Sequence, residues 1–278
     1  QAVIKNAPNH RESLTGLGVI ELVRGNLVAG WSLYEQGRQN KPRTINGPAL
    51  HQPRWRGEPL EGRTLLIHDE QGFGDTLQML RYVPLVAERA EKLLLAVQPE
   101  IVSLVRQSGY PDAMDSRGSL PDFELRAPLP DLPAVCGTTL ETIPADVPYL
   151  VAAPELVAKW KQRLAGVDRL RVGIHWQGNA QFITDHLRSI PLACFAPVAE
   201  LSGVQLVSLQ KGPGRAQLQD VPPGWSILDV ADELTDFHET AALMKNLDLV
   251  ITCDSSPGHL AGGLGVPLWL GITKMPDW

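Results

Sequence analysis

Between residues 10 and 38 the apolar positions Leu14, Leu17, Ile20, Leu22, Val23, Leu27, Val28, Trp31, Leu33 and Tyr34 recur near helical spacing, and Gly25-Asn26 interrupts them. The pattern predicts a helical hairpin. Residues 41–62 hold four prolines among mixed polar residues, which predicts an extended connector. A different rhythm follows. Short continuous apolar runs at 64–68 and 92–97 read as buried strands, and the patterns at 75–88 and 100–107 read as helices. Residues 119–149, rich in Pro, Thr and Asp, read as a surface excursion before a helix at 153–164. Strand runs return at 171–176, 204–209, 248–252 and 267–271, separated by helical stretches around 192–201 and 237–245. This alternation predicts an α/β fold of two doubly wound domains with a cleft between them. The expected boundaries are 1–40 for the helical segment, 41–150 for the first Rossmann-like domain and 151–278 for the second.

Composition narrows the classes. The chain has 278 residues, 44% hydrophobic and 20% charged, enough for two packed domains of ordinary soluble type. A formal net charge of −6 offers no broad basic surface, so nucleic acid and anionic lipid are not favoured partners. Cys136, Cys194 and Cys253 are odd in number and far apart, which argues against a disulfide framework and fits a reducing cytoplasm. No run of about 18 apolar residues occurs, and the opening residues lack a secretory pattern, so no transmembrane segment or leader is expected. The absent initiator Met suggests a fragment of a longer chain.

The most informative stretch is the strand run that ends in Cys253-Asp254-Ser255-Ser256-Pro257-Gly258-His259. It predicts a buried strand delivering a turn of small residues onto a helix start, where backbone N–H groups and the helix dipole suit a phosphate. The competing reading is structural: Asp254 or Ser255 caps the helix, and the glycines let it pack closely on a sheet. Neither the GxxxxGK[ST] nor the GxGxxG spacing is present.

Other polar loops fall at strand ends. Gln71-Gly72-Phe73-Gly74-Asp75 follows the first strand, and Asp75 either caps the next helix, the favoured reading for a lone GxGD, or presents its carboxylate to a ligand. In the second half, Trp176-Gln177-Gly178-Asn179, Arg188-Ser189-Ile190-Pro191 and Gln210-Lys211-Gly212 converge with the 254–259 turn if the sheet is wound as proposed. Arg188 and Lys211 could then neutralise a diphosphate without a metal, or each could be an ordinary solvated charge. His259 could bond a phosphate or sugar hydroxyl, or sit buried against a carbonyl; His186 reads as a loop residue. Metal chemistry has little support, because Asp-x-Asp and HExxH are absent and the histidines are not paired at ligand spacing. No GxSxG elbow supports a serine hydrolase.

Taken together, the 71–78 loop, Gly173-Ile174-His175-Trp176-Gln177-Gly178-Asn179, Arg188-Ser189-Ile190-Pro191, the segment 236–243 and the turn from Asp254 to Gly265 resemble the glycosyltransferase half of bacterial tetratricopeptide-containing proteins. That half looks like the heptosyltransferase family, family 9-like, with a two-domain GT-B fold. Residues 17–35 resemble the last unit of a tetratricopeptide array, a possible contact for a protein partner or a plain helical cap. The resemblance implies inverting, metal-independent transfer of a sugar from a nucleotide-diphosphate donor to a glycan, lipid-linked or protein acceptor, with no cofactor. Asp75 matches the general base, which would take the acceptor hydroxyl proton. The implied donor-binding set is Gly72, Gly74, Asn179, Arg188, Gln210, Lys211, Asp254, Ser255, Ser256, Gly258 and His259. The sequence departs from the family pattern at Pro257, and it stops at Trp278 where relatives continue, which implies an incomplete second domain. Two other functions share this architecture: a non-catalytic scaffold binding a protein through the repeats, and a sugar-nucleotide epimerase.

Overall fold

The computed structural model describes residue 7, residues 9–38, residue 47 and residues 49–274; of the connector expected at 41–62, residues 41–46 and 48 lie outside the described residues. Internal contacts divide the chain into two units, one from Gln1–Val102 and Asp112–Asp146, the other from Ser103–Pro111 and Val147–Lys274.

The first unit opens with the helical hairpin, Arg11–Val23 and Leu27–Arg38. His10 caps the first helix by accepting from the Ser13 N–H. The two helices approach closely because Gly18 faces the partner backbone: a Cβ there would lie 2.7 Å from Tyr34 N and 2.9 Å from Gly30 O. Strands β1 (Thr64–His68), β2 (Lys92–Val97), β3 (Met114–Asp115) and β4 (Leu125–Pro128) then form a parallel sheet ordered β3-β2-β1-β4. β1 and β2 coincide with their apolar runs, and every β1 residue is buried.

Two expectations are corrected here. The helix expected at 75–88 is broken into Phe73–Met79, a 3-10 turn at Leu80–Tyr82, and Val83–Ala87. Pro84 has no N–H to donate to the carbonyl one turn earlier, so a continuous α-helix cannot pass through it. The segment expected to wander over the surface at 119–149 instead supplies β4, with Leu125, Ala127, Leu129 and Leu132 buried. Its prolines hid a four-residue strand, and they are tolerated because β4 is an edge of the sheet.

In the second unit β5 (Leu170–His175), β6 (Val204–Ser208), β7 (Ile227–Asp229), β8 (Leu249–Cys253) and β9 (Leu268–Gly271) form a parallel sheet ordered β7-β6-β5-β8-β9. β3 and β7 had no signature in the sequence; two or three residues are too few to show a period. One face of this sheet, with Val172, Ile174 and Trp176, packs with Leu192, Phe195, Val204 and Leu206. Burying each large apolar side chain contributes about 1.5–3 kcal/mol. Helices Pro154–Arg163, Phe237–Met244 and Ser256–Leu264 complete the layers, and the indole N–H of buried Trp160 donates to Glu239 Oε2 at 2.7 Å. The strand order changes direction between β5 and β8. Open parallel sheets hold ligands outside the carboxyl ends of such a pair, here at His175 and Cys253.

Candidate functional site

At the end of β8 the chain turns through Asp254 and Ser255 into the Ser256–Leu264 helix, which Gly265 ends in the left-handed conformation at φ 69°. Ser255 occupies the N-cap position, as the capping reading expects, but its side chain makes no cap hydrogen bond. Its Oγ lies 3.1 Å from His175 Nδ1 and 3.1 Å from the Cys253 carbonyl, with Thr252 Oγ1 at 3.4 Å. The hydroxyl is drawn down onto the strand ends. Pro257, at the second helical position, has no N–H, and the Gly258 N–H donates to the Ser255 carbonyl at 2.9 Å. Gly258 fits because a Cβ would come within 3.0 Å of Leu270.

The sequence includes His175 in the 173–179 motif but gives it no role of its own. His175 is 7% exposed, ends β5 and pairs in register with Thr252 of β8, whose Oγ1 is 3.3 Å from Nδ1. Burial, with Arg188 reinforcing it and Asp185 opposing, lowers the imidazole pKa to about 4, so the ring is neutral at physiological pH. The Cys253 thiol is pushed up, mainly by burial, which leaves it protonated and unreactive.

The loop after β5 belongs to the same cluster. Arg188 Nε donates to buried Asp185 Oδ1 at 3.0 Å, and its guanidinium lies 4.7 Å from the Phe182 ring centroid. Asp185 Oδ2 accepts from Ser189 Oγ at 2.9 Å, and that Oγ accepts from the Gly178 N–H at 3.4 Å. A Cβ on Gly178 would collide with Asp185 and stand 2.7 Å from Arg188 Nη2, so glycine is required for the loop to close on the ion pair. A cavity of about 460 Å³ adjoins this loop, lined in part by Gln177, Phe182, Asp185, Ser189 and Gln217.

The remaining candidates fall into place unevenly. Gln210 is buried with its amide fully engaged: Oε1 accepts from the N–H of Trp176 and Gln177, and Nε2 donates to the carbonyls of Gln177 and Lys211. It shapes the loop after β5. Asn179 is exposed and accepts from the Gln181 N–H. Lys211 is exposed, with its ammonium donating to the Leu234 carbonyl. His186 is exposed and His259 half-buried.

In the first unit, Asp75 bears on the helix start from a different position than expected. The Phe73–Met79 helix has Gly72 as its N-cap, so Asp75 is the third helical residue, and its Oδ2 accepts from the Gly72 N–H at 3.0 Å. Gly74 lies in the same first turn. Gln71 ties the loop down: its Nε2 donates to Tyr34 Oη at 2.6 Å, and its carbonyl accepts from Gln98 Nε2 at 3.0 Å. Below it is a buried ion network that no sequence signal disclosed. Arg38 pairs with Glu70 and, at 3.3 Å, with Asp131, while Arg54 pairs with the other Asp131 oxygen and donates to the Arg38 carbonyl. Its partners are 32 and 93 residues from Arg38, beyond the reach of any local pattern.

Residues 199–270, from just before β6 to β9, match the model of glycosyltransferase family 9 (heptosyltransferase). Protein FlbA of Caulobacter vibrioides is 26% identical over 287 residues, an alignment covering 93% of this chain and 47% of that protein. The chain thus spans about half the length of the curated relative it matches. Among solved structures, the family 9 glycosyl transferase from Veillonella parvula aligns with a TM-score of 0.58 at 12% identity, covering 76% of this chain and 81% of that one. E. coli ADP-heptose lps heptosyltransferase II aligns with a TM-score of 0.50 at 14% identity, covering 74% and 84%. The fold is therefore α/β with parallel sheets, similar to the GT-B heptosyltransferases of family 9, and the family model supports a family 9 glycosyltransferase segment at residues 199–270. The hairpin is observed, whereas a tetratricopeptide assignment for it gains no support from these matches. Among the described residues no helix is long and apolar enough to cross a membrane, and no group of three or more His, Cys, Asp and Glu side chains is disposed to hold a metal.

Proposed function

We propose that this chain is the sugar-transferring part of a glycosyltransferase that moves a hexosyl or heptosyl group from a nucleotide-diphosphate donor to an acceptor hydroxyl. The second unit takes the donor. Its diphosphate rests on the first turn of the Ser256–Leu264 helix, with Arg188 supplying positive charge from the loop after β5. The transfer is inverting and needs no metal, since the N–H groups and guanidinium stabilise the departing diphosphate directly. Asp75 is the general base. In this role its carboxylate exchanges the Gly72 N–H contact for the acceptor hydroxyl and removes the proton as the oxygen attacks the anomeric carbon. The work is cytoplasmic, and the hairpin closes a tetratricopeptide array.

One observation carries this reading: the helix start lacks its serine cap at the carboxyl end of β8, inside the segment that matches family 9. ADP-sugars are the first donors to test, because the name of one structural neighbour specifies ADP-heptose. Purified chain is incubated with ADP-, UDP- and GDP-linked hexoses and heptoses plus a bacterial envelope extract as acceptor, and released nucleoside diphosphate is measured. One donor is expected to support release, and Asp75→Asn to slow it by about a hundredfold or more. Release from none of these donors, or an unaffected Asp75→Asn variant, contradicts the proposal.

A further inference from the structure

We infer that Asp185 is a positioning residue for Arg188: it holds the guanidinium by Nε alone, so that both terminal nitrogens remain available to grip one phosphate of the donor as a pair. The inference rests on the donor reading above and adds the device that makes Arg188 a fixed clamp instead of a mobile charge.

An arginine meets an oxyanion along one of two edges, Nε with one Nη or the two Nη groups together, and each edge offers two parallel N–H donors. An aspartate that placed both oxygens on the first edge would consume a terminal nitrogen. Asp185 does not. Its Oδ1 accepts from Arg188 Nε at 3.0 Å, while its Oδ2 accepts from the Ser189 hydroxyl at 2.9 Å. Nη1 and Nη2 make no hydrogen bond among the described residues. The carboxylate is itself held in place: Asp185 is 5% exposed, its N–H donates to the Phe182 carbonyl at 2.9 Å, and its carbonyl accepts from the Ser189 N–H at 2.8 Å. Two further neighbours limit the swing of the guanidinium. The Phe182 ring centroid lies 4.7 Å from it, and Nη2 passes 2.7 Å from where a Cβ on Gly178 would stand.

The charge is thus fixed without being used up. Arg188 keeps 24% of its side-chain surface open, and its charge acts on both His175 and Cys253, at the ends of β5 and β8. A mobile arginine loses rotamer freedom when a ligand orders it, and that loss weakens binding. Here the ordering is done by the fold. A carboxylate beside the clamp also repels an anion, so repulsion and positioning predict opposite effects of removing it.

NMR relaxation of the Arg188 Nε–H reads the pinning without any ligand; calorimetric titration with inorganic pyrophosphate reads its consequence. In the unmodified chain this N–H should be as ordered as rigid backbone, with an order parameter of about 0.85, and in Asp185→Ala it should fall below about 0.6. Asp185→Ala should also weaken pyrophosphate about threefold to tenfold, the cost of ordering one long side chain on binding, although it removes a negative charge. Asp185→Asn keeps an oxygen for Nε and loses the charge, so it should keep the order and bind at least as tightly as the unmodified chain. Arg188→Lys keeps the charge and loses the fork, and should weaken pyrophosphate about as much as Asp185→Ala. A carboxylate that merely supported the loop would make Asn and Ala impair binding together, and one that acted only by repulsion would make both bind more tightly; either pattern overturns the inference. So does an Nε–H that stays ordered in Asp185→Ala, or undiminished binding by Arg188→Lys. If the unmodified chain binds no pyrophosphate, the donor reading falls, and the relaxation measurements on the three Asp185 forms still decide whether Asp185 pins Arg188. Should Asp185→Ala fail to fold, Asp185→Ser, too short to reach Nε, carries the same expectations.

Discussion

The two units solve the same problem in different ways. Each must fix the loop that leaves its first strand, because ligands of parallel sheets bind there. After β1 the loop is held by charge: Glu70 is buried against Arg38, which reaches it from the end of the hairpin, and Asp131 and Arg54 complete the network. After β5 the loop is held largely by neutral groups. The amide of Gln210 satisfies four backbone partners, Trp176 donates its indole N–H to the Gly214 carbonyl at 3.0 Å, and the one ion pair, Asp185 with Arg188, leaves the arginine partly exposed. The contrast assigns the hairpin a structural role. A buried guanidinium at its last residue makes it part of the first unit's framework, whatever else it contacts. In the second unit the charge is kept for the surface, where a ligand could use it.

Breaking the charged network should have the largest effect. Arg38→Met leaves Glu70 without its cation in a buried setting, and the expected loss is about 3–5 kcal/mol of unfolding free energy in a denaturant titration. A loss below about 1 kcal/mol would show that the network does not bind the hairpin to the sheet.

Acid sharpens the comparison from the other side. His175 has a folded pKa of about 4 against an ordinary value of 6.5, so the unfolded chain takes up the proton first. Its contribution is present in full above about pH 6.5 and lost as pH falls towards 4, amounting to about 3 kcal/mol. The Cys253 thiol, raised by burial, stays protonated over that interval. Stability against pH should fall less steeply for His175→Asn than for the unmodified chain; parallel curves would remove the buried neutral histidine from the account.

The neutral loop should break at lower cost. Gln210→Leu preserves bulk but leaves the Trp176 and Gln177 N–H groups without their acceptor, an expected loss of about 2 kcal/mol. The same titration checks it, and a loss as large as that of Arg38→Met would erase the distinction between the two loops.

Sequence patterns disclosed the architecture unevenly, for physical reasons. β1 was legible because a strand buried on both faces of a parallel sheet forms an unbroken apolar run, and β2, buried over its second half, carries a similar run from Leu93. β4 was not, since Pro128 ends the strand and Pro130 and Pro133 follow it closely, an arrangement its edge position excuses. The turn from Asp254 to His259 was legible as a strand-to-helix junction, but the orientation of Ser255 was not, because its partner His175 is brought close only by the pairing of β5 with β8. Gln210 carried a polar signal that suggested a ligand contact, while its position directs all four of its bonds inward. Asp75, read as the cap, lies three positions past it, because Gly72, with no side chain to signal a cap, is the N-cap of the helix.

If the second unit holds a nucleotide diphosphate at the carboxyl ends of β5 and β8, calorimetric titration with ADP, UDP and GDP reads it out. Saturable one-to-one binding of at least one of them is expected, weakened about tenfold or more by Arg188→Ala and left unchanged by Asp75→Asn. Absence of binding by all three, or binding indifferent to Arg188→Ala, would contradict it.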